Sequence, residues 1–263
     1  MKPIPVTLAT SSVYPLSVHD GFAIAADLGY DGVEVMVTNA PTSQDPDALN
    51  ELASRYNQPV YSIHAPTLLL TQQVWGGAWN KILRSVKLAE RVGAEVVVVH
   101  PPFRWQSEYA SQFREGIKEL MHRSGIKIAV ENMYPWKAGG QEARMYLPHW
   151  SPIDRDYEHV TWDFSHAAIA GVDSLEAFQK LRERLAHVHL TDGFPNGRDE
   201  HLLPGYGSQR CAAAMEWLGD YHRTHGYDGV VCLEVSTRKA KNPGEREEWL
   251  RYSLDFAHTH LGQ

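Results

Sequence analysis

Short apolar runs rich in β-branched residues alternate along this chain with stretches whose apolar residues recur every three to four positions. These two periodicities separate buried strands from amphipathic helices. The runs PVTLAT, GVEVMV, VYSIH, EVVVVH, KIAVE, HVTWD, LAHVHL and GVVCLEV read as eight strands. Between them, a helix capped by Ser17 runs through Leu28 and stops at Gly29. PDALNELASRY, WNKILRSVKLAERVG, EYASQFREGIKELMHRSG, SLEAFQKLRERL and QRCAAAMEWLGDYHRTHG follow as helices, and GEREEWLRYSLDFAHTHLG closes the chain as another. Strands separated by helices, with wholly apolar runs such as EVVVVH, pair in parallel. This α/β pattern predicts a single closed (β/α)8 TIM barrel over residues 1–263. A doubly wound sheet is the main alternative, but no glycine-rich phosphate loop follows the first strand to support it.

Polar strand ends fall at Glu34, His64, His100, Glu131, Asp163, His189 and Glu234, at intervals of 30, 36, 31, 32, 26 and 45 residues. Those intervals sit near the roughly 31 residues per unit of a barrel of about 250 residues. The longest contains a polar loop at 193–208, and the segment 136–156 is a second long insertion expected to cover the barrel mouth. In such a barrel the C-terminal strand ends converge on one mouth, where active sites lie. Six successive strands end there in His64, His100, Glu131, Asp163, His189 and Glu234, with His166 three residues past Asp163. Packed together without a cation, these groups would suffer desolvation and mutual repulsion, and a divalent ion held by nitrogen and oxygen removes both penalties.

The stretch AHVHLTDGFPNGRDEHLLPGYG adds Asp199 and His201 on a loop carrying Asp192 and stiffened by Pro204, Gly205 and Gly207. Alone it fits a metal-ligand set and an ordinary core histidine beside a solvated loop equally well; the other strand ends decide for metal. His187 shares a strand face with His189 but lies one layer deeper, which suits support rather than ligation. Arg198 and Trp105 lie in expected mouth loops, as do Trp75, Trp136 and Trp150, where cations and aromatic faces can meet substrate or simply pack a lid.

Composition narrows the partners. The net charge of −7 gives no general attraction for a polyanion, and no apolar run reaches membrane-spanning length. The start MKPIPVTLATSSVY lacks the continuous apolar segment of a signal peptide, so a cytoplasmic protein is expected. Cys211 and Cys232 are too few for a disulfide framework. Oligomeric state stays open, including a homo-oligomer.

In order along the chain, GYDGVEVMV, YSIHAPT, VVVVHPPF, IAVENMYP, VTWDFSHA, HVHLTD and CLEVS resemble the xylose isomerase-like TIM-barrel superfamily, which holds sugar phosphate isomerases and epimerases and also endonuclease IV. The resemblance to the epimerase branch implies one divalent metal on Glu131, Asp163, His189 and Glu234, with the two glutamates also forming a proton-transfer pair. The resemblance to endonuclease IV implies further ligands at His64, His100, His166 and the Asp199-Glu200-His201 step. Together they imply one to three zinc or manganese ions. GYDGVEVMV and EHLLPGYG favour the isomerase side, although Tyr206 stands where that branch usually has an acidic residue. The resulting expectation is an enediolate-forming isomerase or epimerase of a sugar, sugar phosphate or related polyhydroxy carbonyl compound, with Glu34 and His166 holding substrate hydroxyls. Abasic-DNA hydrolysis and metal-dependent dehydration on the same fold are the alternatives.

Overall fold

The structure, a computed structural model, describes residues 2–66, 73–138 and 141–263. Eight parallel strands close into a barrel: β1 (Val6–Ala9), β2 (Gly32–Met36), β3 (Val60–His64), β4 (Val96–Val99), β5 (Lys127–Glu131), β8 (His159–Asp163), β9 (Leu185–Leu190) and β10 (Val230–Leu233). They neighbour one another in chain order, and β10 returns to β1. This is the (β/α)8 barrel that the sequence pattern predicts.

The surrounding helices are α1 (Val18–Leu28), α2 (Pro46–Tyr56), α3 (Ala78–Val92), α4 (Ser107–Ser124), α5 (Phe164–Ala170), α6 (Ser174–Leu181), α7 (Cys211–His225) and α8 (Pro243–Leu261). Their ends follow local chemistry. Ser17 and Asp20 exchange reciprocal bonds at the start of α1, and Asp45 and Asn242 cap α2 and α8. Alternate strand residues such as Leu8, Val33, Ile63, Val97, Ile128, Trp162, Val188 and Leu233 join the main core, which also takes in the helices' apolar faces.

The structure departs from the sequence expectation in three places. The helix expected over SLEAFQKLRERL stops at Leu181, because Arg182 takes a left-handed φ of 49° and a 3-10 turn follows. Helix α5 begins directly after β8, where only a turn was expected, and the Asp163 side chain caps it. The 136–156 insertion contains a small antiparallel pair, β6 (Trp136–Ala138) and β7 (Gln141–Ala143). The insertion is tied to the loop after β4 by Arg104 N–H donating to Met145 O and Leu147 N–H to Pro102 O. Phe103, Met133 and Tyr146 form a separate apolar cluster beneath it.

Candidate metal centre

Parallel pairing decides which rim residues become neighbours. Asp163 and His189 are Cα partners across β8 and β9, and Thr161 pairs with Glu131 on one side and His187 on the other. His100 and Glu234 stand one residue beyond β4 and β10. Glu131, Asp163, His189 and Glu234 can each offer one ligand atom, all within 4.8 Å of one another, and all four are buried. His64 forms a second such group with Glu131 and His189, and His166 and His201 a third with Asp163.

Glu131 occupies the middle. Its Oε1 lies 3.0 Å from His189 Nδ1, while its Oε2 lies 2.9 Å from His100 Nε2 and 3.3 Å from His64 Nε2. His189 Nδ1 also lies 3.1 Å from Glu234 Oε2 and 3.7 Å from Asp163 Oδ2. Asp199 spans His166 and His201, with Oδ2 3.2 Å from His166 Nε2 and Oδ1 3.1 Å from His201 Nε2. Two carboxylate oxygens, Glu131 Oε2 and Asp163 Oδ2, are buried yet accept no well-directed hydrogen bond. His100 Nε2 and His64 Nε2 lie beside Glu131 Oε2 without a well-formed hydrogen bond to it. Unpaired buried acceptors cost about 1–3 kcal/mol each, and a cation among these groups would satisfy both. The donor set therefore fits a divalent metal of the zinc or manganese type.

The clustered side chains also set one another's charge. Burial opposes charge on His189, but Glu234, Glu34 and Glu131 outweigh it and hold the imidazole well above its usual range. Burial is likewise overridden at His201, chiefly by Asp199, and at His166 by Asp163 and Asp199, which lift the latter to about 10. Glu131 moves the opposite way: burial would raise it, but His189 and His100 hold it well below the carboxylate range. Asp163 is governed by burial and sits at about 6. Burial also lowers His100.

Not every expected residue lies at this centre. Glu34 is fully enclosed in the middle of β2, below the rim, with Oε1 3.0 Å from His189 Nε2 and Oε2 3.0 Å from His187 Nε2. His166, the other residue expected to hold hydroxyls, has Nδ1 2.8 Å from Asn132 O as well as its Asp199 contact. Trp105 is 54% exposed and stacks on Phe103 with ring centroids 4.5 Å apart. Arg198 is exposed on the 193–208 loop. Trp75 packs beneath the Arg84 guanidinium, and Trp150 Nε1 donates to Glu142.

Several contributors escaped the sequence reading. Ser11 Oγ donates to Glu234 Oε1 at 3.1 Å, and Ser165 Oγ donates to Asp199 Oδ1 at 2.7 Å. Asn132 brackets Asp163, accepting from its N–H at 2.6 Å and donating to its carbonyl at 2.9 Å. Their signal was adjacency: Ser11 lies just past β1, Asn132 follows Glu131, and Ser165 precedes His166. Tyr134, its ring 5.2 Å from that of His166, helps line a cavity of about 560 Å³ with Trp136, Ile169 and Pro195.

Residues 22–260 match the family described as xylose isomerase-like TIM barrel, and the chain belongs to that family. An uncharacterized protein of Mycobacterium tuberculosis is 45% identical, with 99% of each chain covered. Fructoselysine 3-epimerase of Shigella flexneri is 21% identical over 87% of this chain and 88% of its own. Among solved structures, the IOLI protein with a bound zinc atom superposes with a TM-score of 0.67 at 15% identity, covering 98% of each chain. That last likeness concerns the fold. Among the described residues, no helix is long and apolar enough to cross a membrane.

Proposed function

We propose that this protein is a divalent-metal-dependent isomerase or epimerase of a sugar, sugar phosphate or related polyhydroxy carbonyl compound, working through an enediolate. The observation that carries this reading is the convergence of two carboxylates, Glu131 Oε1 at 3.0 Å and Glu234 Oε2 at 3.1 Å, on His189 Nδ1 beside Asp163. Proton removal and return at neighbouring carbons, or on opposite faces of one carbon, needs two such groups. Glu131, Asp163, His189 and Glu234 would hold the ion, which would supply the Lewis acidity to polarise a carbonyl and acidify the adjoining C–H. Family membership and the epimerase among the relatives agree with this class of chemistry.

Each residue then has a task that its surroundings support. Ser11 holds Glu234 by Oε1, leaving Oε2 turned toward the centre as a proton acceptor. The interactions with His189 and His100 keep Glu131 ionised and ready to exchange a proton. Asn132 fixes the Asp163 backbone, while the His166 N–H donating to Asp163 Oδ1 at 2.7 Å leaves Oδ2 facing inward. Burial keeps the Tyr134 hydroxyl protonated, so it serves as a neutral donor to a substrate hydroxyl in the adjoining cavity.

The test is deuterium incorporation. Protein loaded with zinc or manganese is incubated in D2O with a panel of ketoses and aldoses, and deuterium at carbon is read by NMR. Exchange into at least one sugar is expected. Glu234→Gln should slow it by about 10²–10⁴-fold, the usual worth of a positioned proton-transfer group. No exchange with any sugar, or full exchange by metal-stripped protein, would overturn the proposal.

A second reading, phosphodiester hydrolysis at abasic DNA, draws on one specific feature. Glu131 reaches both His189 and the His64–His100 pair, and Asp199 reaches both His166 and His201. That supplies donors for more than one ion, as two-metal phosphoryl chemistry uses. Efficient incision of an abasic duplex at physiological salt, lost in Glu131→Ala, would place this reading first.

A further inference from the structure

Beneath the rim lies a buried assembly that the proposed chemistry does not use directly. Glu34, His187 and Ser62 lie beneath His189, whose register partner on β10 is Cys232, and all four are fully enclosed. Glu34 divides its two oxygens: Oε1 lies 3.0 Å from His189 Nε2, and Oε2 lies 3.0 Å from His187 Nε2 and accepts from Ser62 Oγ at 2.7 Å. The opposite nitrogen of His189, Nδ1, faces Glu131, Glu234 and Asp163.

We propose that Glu34 is a positioning residue that keeps the Nε2–H of His189 pointing down into the barrel and so presents the Nδ1 lone pair to a rim metal. The inference rests on the metal reading of the rim. A carboxylate accepts from both neighbouring histidines without conflict, because it has acceptor sites on both oxygens and no hydrogen to place. The ring stays anchored at one end while the other end ligates, and second contacts of this kind orient a metal-bound histidine. Glu34 sits too deep to meet a substrate hydroxyl, which accounts for a buried carboxylate in the middle of an otherwise apolar strand.

Glutamine at this position cannot do the same. Its carbonyl can accept from one histidine, but its amide must then face the other with two hydrogens. If the amide faces His189, the Nε2–H becomes unfavourable and the proton moves to Nδ1, where it blocks the metal. If the amide faces His187, that ring must carry its proton on Nδ1, an atom already buried without a partner. Either arrangement weakens the anchor.

The experiment uses the full chain. Zinc affinity is measured by competition with a chromophoric chelator for wild type, Glu34→Gln and Ser62→Ala, and the fold of each metal-free protein is checked by circular dichroism. Glu34→Gln should bind zinc about 10–100-fold more weakly, the usual cost of losing such a contact. Ser62→Ala removes a bond to the same carboxylate and a 3.2 Å contact with His187 Nε2 but leaves both contacts between Glu34 and the histidines, so its zinc affinity should stay within about threefold of wild type. A readout independent of folding of the variant comes from zinc-loaded wild type: long-range 1H–15N correlations should show His189 protonated on Nε2 and ligated through Nδ1. Equal zinc affinity in wild type and Glu34→Gln, or a His189 proton on Nδ1, would overturn this inference and leave the metal reading standing. Wild type that binds no zinc and no manganese would overturn both.

Discussion

Asp192→Ala should disrupt the candidate site from a distance, through the loop that carries Asp199 and His201. Asp192 is fully buried, and its carboxylate accepts four backbone N–H groups: Gly193 at 2.8 Å and Gln209 at 3.1 Å on Oδ1, Gly205 at 3.0 Å and Gly207 at 2.9 Å on Oδ2. The fit is close enough that a Cβ on Gly207 would lie 2.3 Å from Asp192 Oδ1 and 2.4 Å from Gly193 O. Hydrogen bonds to a charged group are each worth about 1.5–3 kcal/mol. Four of them are not additive, because the freed N–H groups on an opened loop regain water. Losses above about 4–5 kcal/mol from one substitution are also exceptional, so we expect about 3–5 kcal/mol from urea unfolding of metal-free protein. Asp192→Asn should lose a comparable amount, since its amide turns two hydrogens toward two donors. Loosening the loop separates Asp199 and His201 from His166, so zinc stoichiometry measured on the same sample should fall. A loss under about 1 kcal/mol with unchanged stoichiometry would refute the claim that this carboxylate organises the loop.

Two further outcomes bear on the metal centre. Asp199→Ala combined with His201→Ala should leave at least one ion per chain by elemental analysis and proton exchange partly intact, because Glu131, Asp163, His189 and Glu234 remain together; loss of all metal and all exchange would show one cooperative cluster instead. Glu234→Gln, expected to cripple exchange, should retain measurable zinc through the other three residues, so activity should fall far more than stoichiometry.

The barrel was legible because its strands are predominantly apolar and most of their charged residues and histidines fall at regular strand ends. His64, Glu131, Asp163 and His189 end or nearly end their strands in the structure, and His100 and Glu234 stand one residue beyond. What stayed hidden depended on contacts between distant segments. Helix α5 has too short a sequence to show a period, and its start is fixed by Asp163 accepting from His166 N–H. The hairpin in the 136–156 insertion has strands of only three residues, too short to show a period. Asp192 reads as an ordinary polar loop residue until the backbone of residues 205–209 folds over it. Glu34 is the instructive case: it is expected among the polar strand ends, but β2 runs on to Met36, so Glu34 lies mid-strand and barrel geometry puts it under His189 rather than at the mouth.

The acid–base state of the rim predicts how metal binding should vary with pH. In the metal-free protein His166 has a folded pKa of about 10, and His189 and His201 lie well above their usual range, so all three carry protons at neutral pH. These protons neutralise the carboxylates, the task that a cation would take over. A coordinating imidazole must present a lone pair, so ligation through His189 requires release of its proton, and apparent zinc affinity should rise with pH. Stability follows the same linkage. A group with a raised folded pKa contributes stability that is complete below its unfolded value, near 6.5 for histidine, and is lost as pH rises through the folded value. Metal-free protein should therefore lose the His166 contribution progressively from about pH 6.5 toward 10. Bound metal adds stability in proportion to the logarithm of its concentration over Kd, so tighter binding at higher pH adds more. The gap in Tm between zinc-loaded and chelator-treated protein should accordingly widen from pH 6 to pH 8. Calorimetry in buffers of different ionisation enthalpy should detect proton release on zinc binding at pH 7. A Tm gap that is constant or narrows with pH, together with no proton release, would show that the rim imidazoles do not exchange their protons for a metal, and the neutralising role assigned to the cation would fail.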